Sequence, residues 1–424
     1  MNVSVIINTL NRDYWLKRCI NSLLHQSYND FEIVVVNGPS SDKTDEVLLD
    51  FKDIIKIEKC DLPNLSVSRN IGIKASSGEI IIFIDDDAVP MNKNWIEHYV
   101  KAFQNDSQLS GIGGKIYAGN GELQFCNKIM DFYGNEIINY NNNYLNNCFK
   151  IFGGGNGAYL RKALLDVGGF DEYYEYHHDE TDLQARLTLA GKKLSHHPYA
   201  NIYHEGAKSQ NKTTNYIRDW YKIIKNSVYF AYKNTENITD INIKYKNILK
   251  STNKYINLFS EWKKGKYITN KEYKLIFNMY NKGFIQGEYD GINSKRRLRT
   301  DLINEKSEFK KIDKTFLNKT INVCLYLPSF IANDKNIQNK TNELAYCFLN
   351  IGINIHILYY NNENIDYIKE GINYYSINPS CLVLESLDIF NTYKNLYNMS
   401  YNIFRKIQKI NNMFNFDIIL FLKP

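Results

Sequence analysis

Four short apolar runs alternate with helical patterns inside the first 85 residues, and that rhythm leaves few folds open. VSVIIN (3–8), FEIVVVN (31–37), IIKIE (54–58) and EIIIFID (79–85) read as strands. Continuous apolar runs of this length suit strands covered on both faces. Between the first two, Leu16, Cys19, Ile20, Leu23 and Leu24 recur at helical spacing and form one apolar face. Gly38-Pro39-Ser40 breaks the second run, Ser41 or Asp42 is placed to cap the next helix, and Asp45 and Glu46 fall in its first turn. Residues 65–76 give a third helix. Strands joined by helices in this order imply right-handed crossovers and a mostly parallel sheet, an α/β fold. Ligands of such sheets sit beyond the carboxyl ends of the strands. Thr9-Leu10-Asn11-Arg12, Asn37 and Asp85-Asp86-Asp87 are delivered there and are expected to line one crevice.

With 424 residues the chain is long enough for two or three domains. After residue 110 the pattern loosens through GIGGKIYAG to FGGGNGAYLRKALLDVGGFDE (152–172). From 214 to about 310 the sequence is helical in pattern, basic and tyrosine-rich, with WYKIIKNSVYFAY (220–232) its most amphipathic piece. A second α/β rhythm opens at INVCLYLP (321–328), continues with a helix around Asn342–Asn350 and the strand INIHILYY (353–360), and closes on FDIILFLKP (416–424). It reads as a partial Rossmann-like unit. The expected division is a sheet domain over 1–235, a helical basic linker or extension over 236–316 and the partial unit over 317–424.

Hydrophobic residues make up 44% and charged residues 23%, the balance of a folded, soluble protein. A net charge of +6 is mild, and no nucleic-acid partner is expected. Basic clusters at Lys263, Lys264, Lys266 and at Lys295, Arg296, Arg297, Arg299 are either solvated faces or, on the sharper reading, a contact of the 210–310 region with an anionic membrane surface or a phosphorylated acceptor lipid. Seven scattered cysteines without a CxxC pair argue against structural zinc and for a reducing compartment. The chain enters a strand at once, without a signal-peptide pattern, and holds no apolar run long enough to span a bilayer. The expected location is the cytoplasm, with any membrane attachment peripheral at its inner face.

Three consecutive aspartates after an apolar strand raise one another's pKa unless a cation neutralises them. A divalent cation with oxygen ligands meets that need, Asp85 and Asp87 facing one ion while Asp86 points elsewhere. An acidic turn open to solvent is the plainer alternative. A cation there has a definable use: it neutralises the charge that develops on a departing diphosphate.

VSVIINTLNR, SLLHQSYNDFEIVVVNGPSSDKT, LSVSRNIGIKASSGEIIIFIDDDAVP and HHDETDLQARLTLAG resemble, in order, the motifs of family 2 glycosyltransferases with the GT-A fold, over roughly residues 1–235. The resemblance implies an inverting transferase that uses a nucleotide-sugar, a UDP-sugar first among them, and a hydroxyl of a glycan or lipid-linked acceptor. It places Thr9, Asn11, Arg12, Asn37 and Arg69 with Asp85 and Asp86 around the donor. Asn37 stands where the family usually has an aspartate, which leaves the base preference open. Asp87 with Asp85 matches the metal motif, and His204 of NIYHEG stands where some relatives add a histidine ligand, a donor set suited to Mn2+, with Mg2+ the other choice. Glu180 falls in the position of the catalytic base, with Asp179 the fallback. Gly155, Asn156 and Asp182 are expected near the acceptor or the transferred sugar, although the glycine run 153–157 also reads as a surface turn. His177 and His178 carry no assigned role. The final block resembles the opening of a family 4, GT-B type glycosyltransferase, cut short.

Two other classes compete. A sugar-nucleotide nucleotidyltransferase also uses paired aspartates on an α/β sheet, but would show a Gly-rich loop after the first strand where Thr9-Leu10-Asn11-Arg12 has no glycine. A non-catalytic glycan-binding protein would not need Asp85–Asp87 together with Glu180.

Overall fold

The computed structural model describes residues 1–118, 121–126, 128–138, 147–207, 216, 218–238, 240–302 and 307–313, together with five strands between 322 and 421. The opening rhythm folds as β1 (Val3–Thr9), α1 (Asp13–Leu24), β2 (Phe31–Asn37), α2 (Thr44–Phe51), β3 (Lys56–Lys59), α3 (Leu65–Ala75) and β4 (Ile80–Asp85). β3 starts two residues later than its apolar run, and Asp42 reaches the start of α2 by accepting from the Thr44 N–H at 3.0 Å. Next come β5 (Ala88–Pro90), α4 (Trp95–Asn105), β6 (Leu109–Gly113), β7 (Ile116–Ala118), β8 (Leu123–Phe125), β9 (Lys128–Asp131), β10 (Cys148–Ile151) and β11 (Asn156–Leu160). They are followed by α5 (Arg161–Asp166), α6 (Asp179–Leu189), β12 (Lys193–His196) and β13 (Ile202–His204).

Seven of these strands form one sheet in the order β12-β6-β11-β4-β1-β2-β3. It is parallel except at β11, which runs antiparallel to both β4 and β6. Side-chain alternation explains the unbroken apolar runs. Val5, Ile7, Ile33, Val35 and Ile82 face α1 and α4 through Leu16, Ile20 and Trp95. Ile6, Val34, Ile81 and Phe83 face the other layer through Ile73, Leu164, Leu183 and Leu187. Each such buried aliphatic side chain contributes roughly 1.5–3 kcal/mol, so the two-sided core fixes the register that positions everything beyond the strand ends.

Three helices follow, α7 (Trp220–Asn234), α8 (Ile241–Lys264) and α9 (Asn270–Asn293). Gly283, Gly287 and Gly291 of α9 lie against α7; a Cβ at Gly287 would stand 2.4 Å from the Lys225 carbonyl oxygen, so only glycine permits this approach. Residues 294–302 and 307–313 then make contacts with the sheet domain. Arg296 pairs with Asp182 and Asp171, the Arg299 N–H donates to the Gly168 carbonyl, Leu302 is fully buried, and the Ile312 N–H donates to the Phe31 carbonyl. Within the second basic cluster Arg296 and Arg299 are held by Asp171, Asp182, Glu172 and Asp301. Among the described residues no helix is long and apolar enough to cross a membrane.

The last five strands are β14 (Asn322–Leu327), β15 (Asn354–Tyr360), β16 (Tyr367–Lys369), β17 (Ile372–Ile377) and β18 (Ile418–Phe421). They form a separate sheet in the order β16-β17-β15-β14-β18, parallel apart from β16. The helix expected at Asn342–Asn350 lies outside the described residues.

Candidate active site

β1 lies between β2 and β4, so the direction of strand succession reverses beside it, the place where open α/β sheets form a ligand crevice. Register brings the strand ends together: Thr9 is opposite Asn37, and Asn8 opposite Asp85. Directly after β4, β5 pairs antiparallel with β13 and sets His204 opposite Ala88. That pairing, across more than a hundred residues of sequence, carries the imidazole to the aspartates. His204 Nε2 is 3.2 Å from Asp87 Oδ1 and 3.6 Å from Asp85 Oδ2. One donor atom from each of the three residues lies within 4.8 Å of the others. His204 Nδ1 lies 3.1 Å from Gln124 Oε1, an outer contact that orients the ring and leaves Nε2 facing the carboxylates. Two carboxylates and one imidazole are a donor set that fits Mn2+ or Mg2+.

Arg12 adds fixed positive charge, with Nη1 3.1 Å from Asp87 Oδ2 and 3.6 Å from Asp86 Oδ1. The Ala207 N–H also donates to Asp87 Oδ2, at 2.7 Å. Burial works against ionisation of Asp87, but His204, Arg12 and the Ala207 N–H hold its pKa well below the usual carboxylate range. Asp86 shows the opposite balance: burial and the neighbouring Asp87 outweigh Arg12 and the Thr9 hydroxyl, and its pKa is pushed up to about 7. Burial raises Asp85 too, with His204 opposing and Asp87 reinforcing it. For His204 burial opposes the charge, yet the three carboxylates win and lift its pKa to about 9. The cluster thus has the electrostatic character of a cation site.

The acidic run at the start of α6 is built by strained backbone. His177 and His178 both adopt left-handed conformations, φ +68° and +69°, immediately before Asp179. The two carboxylates have different environments. Asp179 is buried and paired with the Arg69 guanidinium, which itself lies over the rings of Phe170 and Phe83. Glu180 Oε2 is 4.0 Å from Arg69 Nη1, and its side chain keeps 29% of its surface accessible against 2% for Asp179. Burial and the adjacent Asp179 raise the Glu180 pKa well above the ordinary value, with Arg69 opposing. Of the two, Glu180 is the carboxylate more open to an incoming acceptor. Arg69, expected among the donor contacts, is engaged instead with this pair.

Other expected residues fall into two groups. Asn11, at φ +55°, ties the β1 and β2 loops together by accepting from the Ser41 N–H at 2.7 Å. Asn37 is buried at the same crevice end, where its amide donates to Asp45 Oδ1 at 2.8 Å and accepts from Ser40 Oγ at 2.8 Å. Asn37 is buried at that end of the strands, whereas Asn11 is exposed. Asn156 and Asp182 do not line the site, which corrects their placement near the acceptor. Asn156 is fully buried, donating to the Lys115 and Ala200 carbonyls and accepting from Trp95 Nε1 and Tyr99 Oη. Asp182 is fully buried among Arg186, Arg296, Tyr174 and Asn234. Neither exposes an atom to a substrate; each joins distant parts of the chain. Sequence reasoning missed Gln124, Ala207 and Arg296, and no local motif marks any of them.

The glycine run has a specific use. A Cβ at Gly154 would stand 2.6 Å from Arg69 Nη2, and one at Gly155 would stand 2.1 Å from Asp85 Oδ2. Gly155 is therefore a wall of the aspartate cluster, and not a loose surface turn. Gly155→Ala is expected to displace the Asp85 carboxylate while sparing the fold, because the clash is with the end of a side chain. Calorimetry should then register about a tenfold loss of Mn2+-dependent nucleotide affinity, the 1.4 kcal/mol scale of one ligand contact, with an unchanged thermal midpoint. Unaltered affinity would show that Asp85 does not depend on this wall.

Residues 4–168 match the model of glycosyl transferase family 2. The chain is similar to chondroitin synthase of Escherichia coli, 23% identical over 57% of this chain and 40% of that protein. It is also similar to glucosyl-dolichyl phosphate glucuronosyltransferase of Haloferax volcanii, 28% identical over 40% of this chain and 56% of that protein. The chain thus spans about half, or less, of the length of these relatives. Among solved structures, S. aureus TarS (1–349) aligns with a TM-score of 0.46 and 19% identity over 68% of this chain and 81% of that one. Ordered motifs, a mostly parallel sheet with its acidic strand end, and the family match lead to one assignment: residues 4–168 form a domain of glycosyl transferase family 2.

Proposed function

We propose that the chain transfers a sugar, with inversion, from a nucleoside diphosphate donor, a UDP-sugar first, to a hydroxyl of a glycan or lipid-linked acceptor in the synthesis of a surface polysaccharide or glycoconjugate. The names of the relatives, a polysaccharide synthase and a dolichyl-phosphate-linked sugar transferase, support that substrate class. We assign the chemistry to residues within 1–235, and treat 236–316 and 317–424 as further parts of the chain. The observation that carries the reading is the convergence of Asp85, Asp87 and His204 at the end of the sheet crevice that Thr9, Arg12 and Asn37 also line.

In this scheme Asp85, Asp87 and His204 hold the divalent cation, which when bound neutralises charge on the departing diphosphate. Arg12 keeps Asp86 and Asp87 oriented and adds positive charge beside the diphosphate. Glu180 accepts the proton of the acceptor hydroxyl as that oxygen bonds to the anomeric carbon and the bond from that carbon to the diphosphate oxygen breaks. Arg69 fixes Asp179 and, through it, the start of α6, so that Glu180 meets the acceptor in one geometry. Asp87→Ala tests the scheme. Titration calorimetry of UDP with Mn2+ should lose its metal-dependent component, and an affinity equal to wild type would remove Asp87 from the metal role.

A further inference from the structure

The turn that follows β13 closes over Asp87, and little of its own packing holds it there. The Glu205 N–H donates to the Asp87 carbonyl at 3.1 Å, and the Ala207 N–H donates to Asp87 Oδ2 at 2.7 Å. Gly206 between them, at φ +63°, makes the left-handed bend that lets both N–H groups reach the same aspartate. A Cβ at Gly206 would meet no described atom within 4 Å, so that side of the bend is open. Two arginines fasten the turn instead. Arg12, the residue before α1, donates from Nη2 to the Ala207 carbonyl at 3.2 Å. Arg18, within α1, donates from Nη1 to Glu205 Oε1 at 2.9 Å, across 187 positions of sequence.

The two fastenings differ in kind. Arg12 also touches Asp86 and Asp87, so it brings charge to the site as well as a tether. Arg18 makes no ion pair with the three aspartates among the described residues; its carboxylate is that of Glu205. A rigid element holds it, since Leu16, Cys19 and Ile20 of α1 are buried in the core and its guanidinium lies 5.5 Å over the Trp15 ring. The Arg18 and Glu205 side chains keep only 10% and 13% of their surface accessible, so water and salt screen the pair less than a surface pair. At Asp87, Oδ2 is taken by Arg12 Nη1 and the Ala207 N–H, which leaves Oδ1 toward His204 Nε2 at 3.2 Å. His204 leads directly into Glu205. A turn lifted from Asp87 would free Oδ2 and leave His204 without an anchored neighbour on that side.

We propose that Arg18 and Glu205 are a positioning pair for the cation site: their ion pair ties the 205–207 turn to α1 and so keeps Asp87 Oδ1 and His204 Nε2 facing a divalent cation. The inference rests on the reading of Asp85, Asp87 and His204 as that site. It goes beyond it by naming two residues that set the site's affinity without being ligands themselves. Partners that orient metal ligands act in this way, through geometry rather than contact.

The test uses the full chain, first without metal and then with UDP and Mn2+. Arg18→Met/Glu205→Met removes both charges at nearly constant volume. No unpaired charge is left buried, so the thermal midpoint without ligands is expected at or above that of wild type. Mn2+ affinity in the presence of UDP, read from the electron paramagnetic resonance signal of the free ion, should fall by about ten- to a hundredfold. UDP affinity with the metal chelated should match wild type. Amides of 205–207 in the ligand-free chain should exchange with solvent at least about tenfold faster, as expected for a released turn. Arg18→Lys keeps the charge and has a single contact to make, so it should recover most of the Mn2+ affinity. Wild-type Mn2+ affinity in the double variant overturns the proposal. A lowered midpoint with equal losses of Mn2+ affinity and of metal-free UDP affinity overturns it too, and makes the pair a structural one. Failure of the cation reading looks different: wild type would then bind UDP equally well with Mn2+ and with the metal chelated, and the proposal would fall with it.

Discussion

Glu180→Gln is expected to lower turnover by roughly a hundredfold or more, the usual cost of losing a general base, while UDP affinity in the presence of Mn2+ stays close to wild type. Glutamine keeps the shape of the side chain and removes only its capacity to take a proton. The half-open position of Glu180 makes this a test of chemistry rather than of folding. Asp179→Asn should behave differently. It strips the partner from a buried guanidinium, so lost thermal stability should accompany any lost activity. Wild-type pH dependence offers a second check. Burial and Asp179 raise the pKa of Glu180, and a base works only when deprotonated. Activity should therefore fall as pH drops through a value above the ordinary glutamate range, and Glu180→Gln should lack that acidic limb. A crippled but stable Asp179→Asn beside an active Glu180→Gln would move the base to Asp179.

The legible parts of this protein were those with local periodicity. The continuous apolar runs of β1, β2 and β4 specify a buried parallel sheet, and a parallel sheet specifies where its ligands bind; from there Thr9, Asn37 and Asp85 follow by register. His204 could be placed only through its likeness to a motif, because the β5–β13 pairing that carries it to Asp87 has no sequence signature of its own. Polar residues inside motifs misled for a physical reason. Asn156 and Asp182 lie beside residues that face the crevice, but one residue of strand alternation, or half a turn of helix, separates a wall from the interior. Asn156 satisfies the Lys115 and Ala200 carbonyls, and Asp182 meets an arginine 114 residues later in the chain. Such partners become visible only once the chain has folded. Gly155 shows the converse, since a run that reads as slack is the tight wall of Asp85.

Arg296→Ala should destabilise the sheet domain by about 3 kcal/mol, at the lower end of what removing one partner of a buried ion pair costs. The arginine stands between two fully buried carboxylates, 2.5 Å from Asp182 Oδ1 and 3.5 Å from Asp171 Oδ2, and also donates to Asn234 Oδ1 at 3.0 Å. Asp182 would keep Arg186, at 2.7 Å, which is why the loss stays below the upper end. For a unit of about 300 residues, with an unfolding entropy of about 2.1 cal/mol/K per residue, the midpoint should fall by roughly 5 °C. The effect has a definite pH sign. Burial opposes ionisation of Asp182, but Arg296 and Arg186 lower its pKa to about 2, so its contribution is full above the unfolded value of about 3.9 and is lost as pH falls through the folded one. Without Arg296 that carboxylate is protonated at higher pH, so the gap between wild type and variant should be widest near neutrality and narrow toward pH 3. Arg296→Lys should recover part of the loss, since an ammonium keeps the charge but cannot reach both carboxylates and the amide as a planar fork does. A midpoint within a degree of wild type would show that the network is dispensable. The consequence reaches the site itself, because Asp182 lies on the same helix as Glu180. A chain cut at residue 235 would lose Arg296, Leu302 and the Ile312–Phe31 contact together, so a stable unit carrying the proposed base is expected to include at least these residues.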